Sequence, residues 1–337
     1  MKMPGGTMPY SRVLHVLAGV VIGASLGALL WTNIDAKAVW RLLERASAGP
    51  IVLAILALAA DFLLRAVRFH GMLKVAAGRP LPLRRCIWPF IASFGISDIL
   101  PLRAGDAYRV MWFHRRLGLP VSKVIGAMAV ERILDLLAVL LLGMVAVMLA
   151  GTAIPPMLVK AMHVVIGAIG FGVLAVIVAP RLLPAPNRES AGTAARWLAM
   201  GLDGCRSISA AMGEMMRPGS GSLFVVLTLI CWSFEYLVFH LAWISLEGMP
   251  GAIAQPLLAF SFSTLGTLVP GLPGHFGSFE YFGFMAFTLA GVEPAFGTAV
   301  LLLAHLCLWL PTALCGVIWM LMEGFGSSDR ARKGART

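Results

Sequence analysis

The sequence predicts an all-α polytopic membrane protein, on three observations. Of 337 residues, 59% are hydrophobic and 13% charged, with a mean hydropathy of +0.87. A soluble domain carries about 25% charged residues. Several apolar runs approach the ~20 residues that cross a bilayer as a helix, an element that satisfies its own backbone in lipid. Two further apolar runs, Phe94 to Arg109 and Leu265 to Glu280, are interrupted by Pro and Gly and end on charge. Such a pair, one in each half of a chain, points to a site at the membrane midplane.

The first run, Val13 to Trp31, follows Lys2 and Arg12. It is longer than the ~7–15-residue core of a signal peptide and reads as a retained span. Full spans are expected near 13–32, 51–69, 124–150, 157–179, 222–246 and 296–322, about six in all, with broken, re-entrant segments near 86–101 and 256–292. The second broken segment is long enough for either a re-entrant hairpin or two true spans. Between them, 190–216 places Trp197, Leu198, Leu202, Cys205, Ser209 and Met212 near one helical face. This suits either an amphipathic helix on the membrane surface or a loop helix packed on the spans.

Charge orients these elements. The chain has 27 Lys and Arg against 16 Asp and Glu, a net charge of +11. Basic residues cluster in 70–85, 102–123, 181–221 and the tail 323–337, while 151–156 and 247–255 carry none. By the positive-inside rule the basic stretches and both termini are cytoplasmic. The first broken segment then enters and leaves on the cytoplasmic side and the second enters from outside. The expectation is one integral-membrane domain, 1–322, built as an inverted repeat of 13–150 and 157–322. The spread of basic residues over several loops argues for anionic lipid as the partner, not nucleic acid. Cys86, Cys205, Cys231, Cys307 and Cys315 have no C-x-x-C spacing, so no disulfide framework or zinc site is expected. No cofactor is expected either.

Ionisable residues inside apolar runs are the sharpest functional signals, because a charge at the bilayer centre costs roughly 2.5–3.5 kcal/mol even on the lenient scale. Glu131, Arg132 and Asp135 open the third span; Glu131 and Asp135 share a face. They read either as a headgroup-binding cluster or as a structural clamp. Asp61 and Arg65 are four apart and suit an inward-facing pair, whereas Arg68, near the span end, suits snorkelling to the interface. Arg103, Asp106 and Arg109 surround the first break, where Pro101 ends a helix and Gly105 admits unusual backbone angles. Arginines beside free helix-end N–H groups suit a phosphate. Pro270, Pro273, Gly274 and Gly277 form the second break. Glu280 follows as either an N-terminal cap or a transport residue. Glu235 and His275 are further cavity candidates, and His240 and His305 read as packing residues.

These residues carry a resemblance. Leu100-Pro-x-Arg103-x-Gly105-Asp106-x-x-Arg109, Glu131-Arg132-x-x-Asp135 and Pro270-x-x-Pro273-Gly274-x-x-Gly277-x-x-Glu280, in this order, resemble the lysylphosphatidylglycerol synthase transmembrane family. That is the flippase-like membrane region of the multiple peptide resistance factor, found also as stand-alone proteins. The resemblance implies movement of an aminoacylated phosphatidylglycerol, or of a polyprenyl- or hopanoid-related lipid, across the bacterial inner membrane. It implies Arg103, Arg109 and Arg132 on a phosphate, and Asp106, Glu131, Asp135 and Glu280 on a cationic group or a proton path. The synthase domain of larger relatives is not expected, so neither is enzyme activity. One departure stands out: His275 occupies a position where the family pattern leads one to expect glycine. A scaffold for a lipid- or glycan-modifying enzyme is the alternative; an intramembrane enzyme would have only Glu131 and Asp135 to work with.

Overall fold

In the computed structural model, residues 10–32, 34–151, 193–269 and 271–334 are described, with isolated positions between 160 and 171. They form eleven helices: α1 (Tyr10–Trp31), α2 (Ala36–Glu44), α3 (Ala48–Ala77), α4 (Leu83–Ile99), α5 (Ala104–Leu117), α6 (Val121–Ala150), α7 (Thr193–Met215), α8 (Ser220–Ser245), α9 (Ala254–Gly266), α10 (Ser278–Leu289) and α11 (Pro294–Gly334). Four are long and apolar enough to cross a membrane: α3, α6, α8 and the Pro294–Glu323 part of α11. α1 has a shorter apolar stretch, Leu17–Leu30. Apart from those isolated positions, the span expected at 157–179 lies outside the described residues, as does the break residue Pro270.

The long helices are inside out by the standard of a soluble protein. On α3, Asp61, Arg65 and Arg68 are buried while Val52, Leu53, Leu56 and Leu63 are exposed. Leu141, Met148 and Leu149 on α6 and Leu314, Ile318 and Leu321 on α11 are also exposed. Apolar side chains outward and paired charge inward is the arrangement lipid selects.

Three expectations need correction. The stretch 102–123 is not a loop: most of it is α5, with Asp106 in its first turn and His114, Arg115 and Arg116 in its last, the charge order that complements the helix dipole. α3 runs on to Ala77, into the expected loop 70–85, and α11 continues to Gly334 through most of the expected tail. α2 was not foreseen; Asp35 caps it by accepting from the Lys37 N–H at 2.9 Å.

The chain packs as two compact units. Unit 1 comprises 1–55, 92–106 and 237–337; unit 2 comprises 56–91 and 107–236. Each unit draws on both of the segments 13–150 and 157–322. In unit 1, α10 packs between α9 and α11 and touches α1. Its core is aromatic: Phe239 lies 5.9 Å from Phe260 and 6.2 Å from Phe287, and Trp243 lies 4.9 Å from Phe296. In unit 2, α7 packs on α6, with Ala211 against Gly126 and Met212 and Met215 buried. The helix that both readings of 190–216 expect is present over 193–215, and it packs on α6.

Both breaks are built on the same turn. Pro101–Arg103 and Pro273–His275 are single 3₁₀ turns, each opened by proline. In each turn the two residues after the proline are in the left-handed region: Leu102 (φ 61°) and Arg103 (φ 51°), then Gly274 (φ 70°) and His275 (φ 62°). The flanking helices α9 and α10, of 13 and 12 residues, are about 20 and 18 Å long, each short of a ~30 Å hydrocarbon core. They pack against each other as a helix pair. His275 holds a conformation that costs a non-glycine residue about 1–2 kcal/mol, where the family resemblance leads one to expect glycine. Replacing it by glycine should leave stability within about 1 kcal/mol, whereas the β-branched His275→Val should lose about 1–2 kcal/mol. Thermal unfolding in detergent compares the two.

Candidate functional site

Unit 2 gathers seven ionisable side chains into one buried network. Three helices supply them at helical spacing: Asp61, Arg65 and Arg68 on α3, Glu131 and Asp135 on α6, and Glu235 on α8 with Thr228 and Trp232 above it. Arg109 joins from α5.

The pairing is specific. Arg65 Nε donates to both oxygens of Asp61 at 2.9 and 2.8 Å, and its Nη2 donates to Glu235. Arg68 makes a fork on Asp135, Nη1 to Oδ1 at 2.7 Å and Nη2 to Oδ2 at 3.1 Å, and Nη1 also donates to the Thr228 hydroxyl at 2.7 Å. Trp232 Nε1 donates to the same Asp135 oxygen at 3.1 Å, and its ring lies 4.8 Å from the Arg65 guanidinium. Arg109 donates to Glu131 at 2.9 Å and stacks on Phe69 and Phe90, 5.2 and 4.6 Å away. Cation–π contact of a desolvated arginine contributes up to about 2 kcal/mol.

The network is complete neither in charge nor in hydrogen bonds. It holds three guanidiniums (Arg65, Arg68, Arg109) and four carboxylates (Asp61, Glu131, Asp135, Glu235). Arg132, half-buried on α6, lies within electrostatic reach of Asp135. Glu131 Oε1 has no hydrogen-bond partner and faces Arg68 Nη2 at 3.7 Å; Arg68 Nε also has none. Most of the pairs bury their side chains almost wholly, but the Glu235 side chain is 20% exposed, so the network reaches the surface there.

A second polar cluster lies in unit 1 at the second break. His305, on α11, bonds Glu280 through Nδ1 and the Gly274 carbonyl through Nε2 at 2.9 Å. The carbonyl can only accept, so Nε2 carries a proton. The Nδ1–Glu280 contact then needs one proton, held by either partner. Glu280 Oε2 also accepts from the Gly277 N–H at 2.8 Å, closing the first turn of α10. Glu280 is therefore both a cap and a partner of His305. Phe279 stacks on His305 at 4.4 Å and Phe276 lies 4.5 Å from it. At the first break Asp98 accepts from the Thr312 hydroxyl at 2.7 Å, and Arg103, itself exposed, interacts electrostatically with Asp98.

The residues singled out from sequence thus fall into two groups. Asp61, Arg65, Arg109, Glu131, Asp135 and Glu235 come together in unit 2. Arg103, Asp106, Glu280 and His275 belong to unit 1, with Pro101, Gly105, Pro273, Gly274 and Gly277 in its turns. Arg68 is a correction: it is fully buried on Asp135 and does not snorkel. The i, i+4, i+7 spacing of Asp61, Arg65 and Arg68 was the available signal. Asp98 had none, since its partner Thr312 is remote in sequence.

Helices that bury ion pairs and show apolar side chains outward define a multi-pass α-helical membrane protein. Residues 16–316 match the family model described as Lysylphosphatidylglycerol synthase TM region, and the chain belongs to that family. The chain is also similar to a protein named Glycosyltransferase AglD from Haloferax volcanii, 29% identical over 143 residues. That match covers 42% of this chain and 22% of the relative, so the chain spans about a fifth of that protein's length.

Proposed function

We propose that this protein is a flippase-like lipid translocase, moving a phospholipid or a polyprenyl- or hopanoid-related lipid between the leaflets of a bacterial cytoplasmic membrane. The observation that carries the reading is the buried network of unit 2. Six of its seven ionisable groups lie on the apolar helices α3, α6 and α8, too costly to keep for packing alone, and such groups mark substrate or proton paths. Glu235 is the rim of that network, the carboxylates suit a cationic group or a proton, and Arg103, Arg109 and Arg132 suit a phosphate. Membership of the family supports a role in lipid handling. The matched turns of the two breaks support an inverted repeat, and the spread of basic residues supports cytoplasmic termini.

The test is translocation in proteoliposomes with a cationic aminoacyl-lipid, phosphatidylglycerol and a polyprenyl phosphate. One headgroup should be preferred, and Glu235→Gln and Arg103→Ala should each slow its movement at least tenfold with the protein still folded. Full rates in both variants would sink the proposal. A second reading, a membrane subunit that scaffolds a glycan-modifying enzyme, is favoured by the similarity to a protein named as a glycosyltransferase. It expects no movement of any of the three lipids and a stably co-purifying enzyme.

A further inference from the structure

Four helix ends meet at one end of unit 2: the C-termini of α3 and α7 and the N-termini of α6 and α8. Two adjoining cavities open there, about 480 and 560 Å³, sharing Val75, Gly78 and Ser220. Lys74 and Arg79 line the first; Lys123, Arg217 and Glu214 line the second. Four cations thus face one carboxylate. Arg79 is held in place by the Leu117 carbonyl at 2.5 Å. Lys74, Lys123 and Arg217 join no ion pair among the described residues, and neither does Glu214. Lys123 and Glu214 are half-buried, while Lys74, Arg79 and Arg217 are exposed at the cavity mouths, and four cations around one carboxylate give these cavities the charge that suits an anion from outside.

The wall between these charges is apolar. Leu223 and Phe224 from the first turns of α8, and Gly71 and Val75 from α3, line the first cavity beside Lys74 and Arg79. A free phosphate would use only the cations. A phosphate esterified to a diacylglycerol would use both surfaces, its head among Lys74, Lys123 and Arg217 and a chain along Leu223 and Phe224. Basic pockets between membrane helices hold lipid head groups in this manner.

We infer that the end of unit 2 formed by α3, α6, α7 and α8 is a binding site for the phosphate of an anionic phospholipid, separate from the buried network. Binding is measured without transport, so the inference does not depend on the translocase reading.

The experiment is native mass spectrometry of the full chain in detergent, titrated with dioctanoyl phosphatidic acid, dioctanoyl phosphatidylcholine and inorganic phosphate. Phosphatidic acid should bind at least tenfold more tightly than either of the others. Lys123→Gln/Arg217→Gln should weaken it about thirtyfold, and Lys74→Gln about fivefold to tenfold. Arg84→Gln/Arg85→Gln removes the same charge from positions that, though exposed like Lys74 and Arg217, line neither cavity, and should change binding less than twofold. Equal loss in both double variants would reduce the site to general surface charge and overturn the inference. Inorganic phosphate binding as tightly as the lipid would overturn the lipid assignment, and equal binding of phosphatidylcholine would overturn the role of the cations. Thermal unfolding of each variant confirms that a loss of binding is not a loss of fold.

Discussion

Asp135→Asn is expected to destabilise the protein by about 3–5 kcal/mol, the loss that follows when one partner of a buried pair is removed. Asp135 accepts the two-pronged bond of Arg68 and the indole N–H of Trp232, and its Oδ2 lies 3.6 Å from Arg65 Nη1. An amide keeps the shape but loses the charge and turns one acceptor into a donor that faces guanidinium N–H groups. Arg68, fully buried, is then left with the Thr228 hydroxyl and with Glu131 at 3.7 Å. The measurement is unfolding in mixed detergent micelles. Adding Arg68→Met to Asp135→Leu should recover at least half of the loss, because an apolar pair of similar volume removes both charges together. A loss below about 1 kcal/mol in Asp135→Asn would mean that the Arg68–Asp135 pair does not hold the helices.

Gly105→Ala should cost about 1–3 kcal/mol or more, at the upper end of what overpacking does. A Cβ on Gly105 would stand 1.8 Å from the Ser93 carbonyl oxygen and 2.7 Å from the Ser97 backbone N. These are backbone atoms, so relief requires the start of α5 to move away from α4 and open the first break. Gly49→Ala is the control. It lies in the first turn of α3 with nothing within 4 Å of its would-be Cβ, and alanine there should stabilise by roughly 0.5–1 kcal/mol. Thermal unfolding separates them. Equal melting temperatures for the two variants would show that the contact of α5 with α4 is not tight.

Gly105 also shows how far the sequence could be read. Glycine after Pro101 pointed to freedom of the backbone angles, yet the left-handed residues of that turn are Leu102 and Arg103. Gly105 is glycine for space. The site shows the same division. Asp61 with Arg65, and Glu131 with Asp135, were legible because four residues make one turn of a helix. Arg68 was misread because its place near a basic stretch suggested an interface residue, while its true partner lies 67 positions away. Arg109 and Glu131, 22 positions apart, offered no periodic clue to their pairing. His305 offered none to Glu280.

Helical class, the apolar stretches long enough for lipid, the two Pro–Gly breaks and the charged positions inside apolar runs follow from composition and period alone. These are local properties, and lipid leaves a polar backbone few alternatives to the helix. Which carboxylate each arginine meets, that six of the chosen residues meet in one unit while Arg103 and Glu280 belong to the other, and which glycines are needed for space depend on how each helix is rotated against its neighbours. That rotation is set by contacts between residues far apart in the chain, and no spacing within a single helix records it.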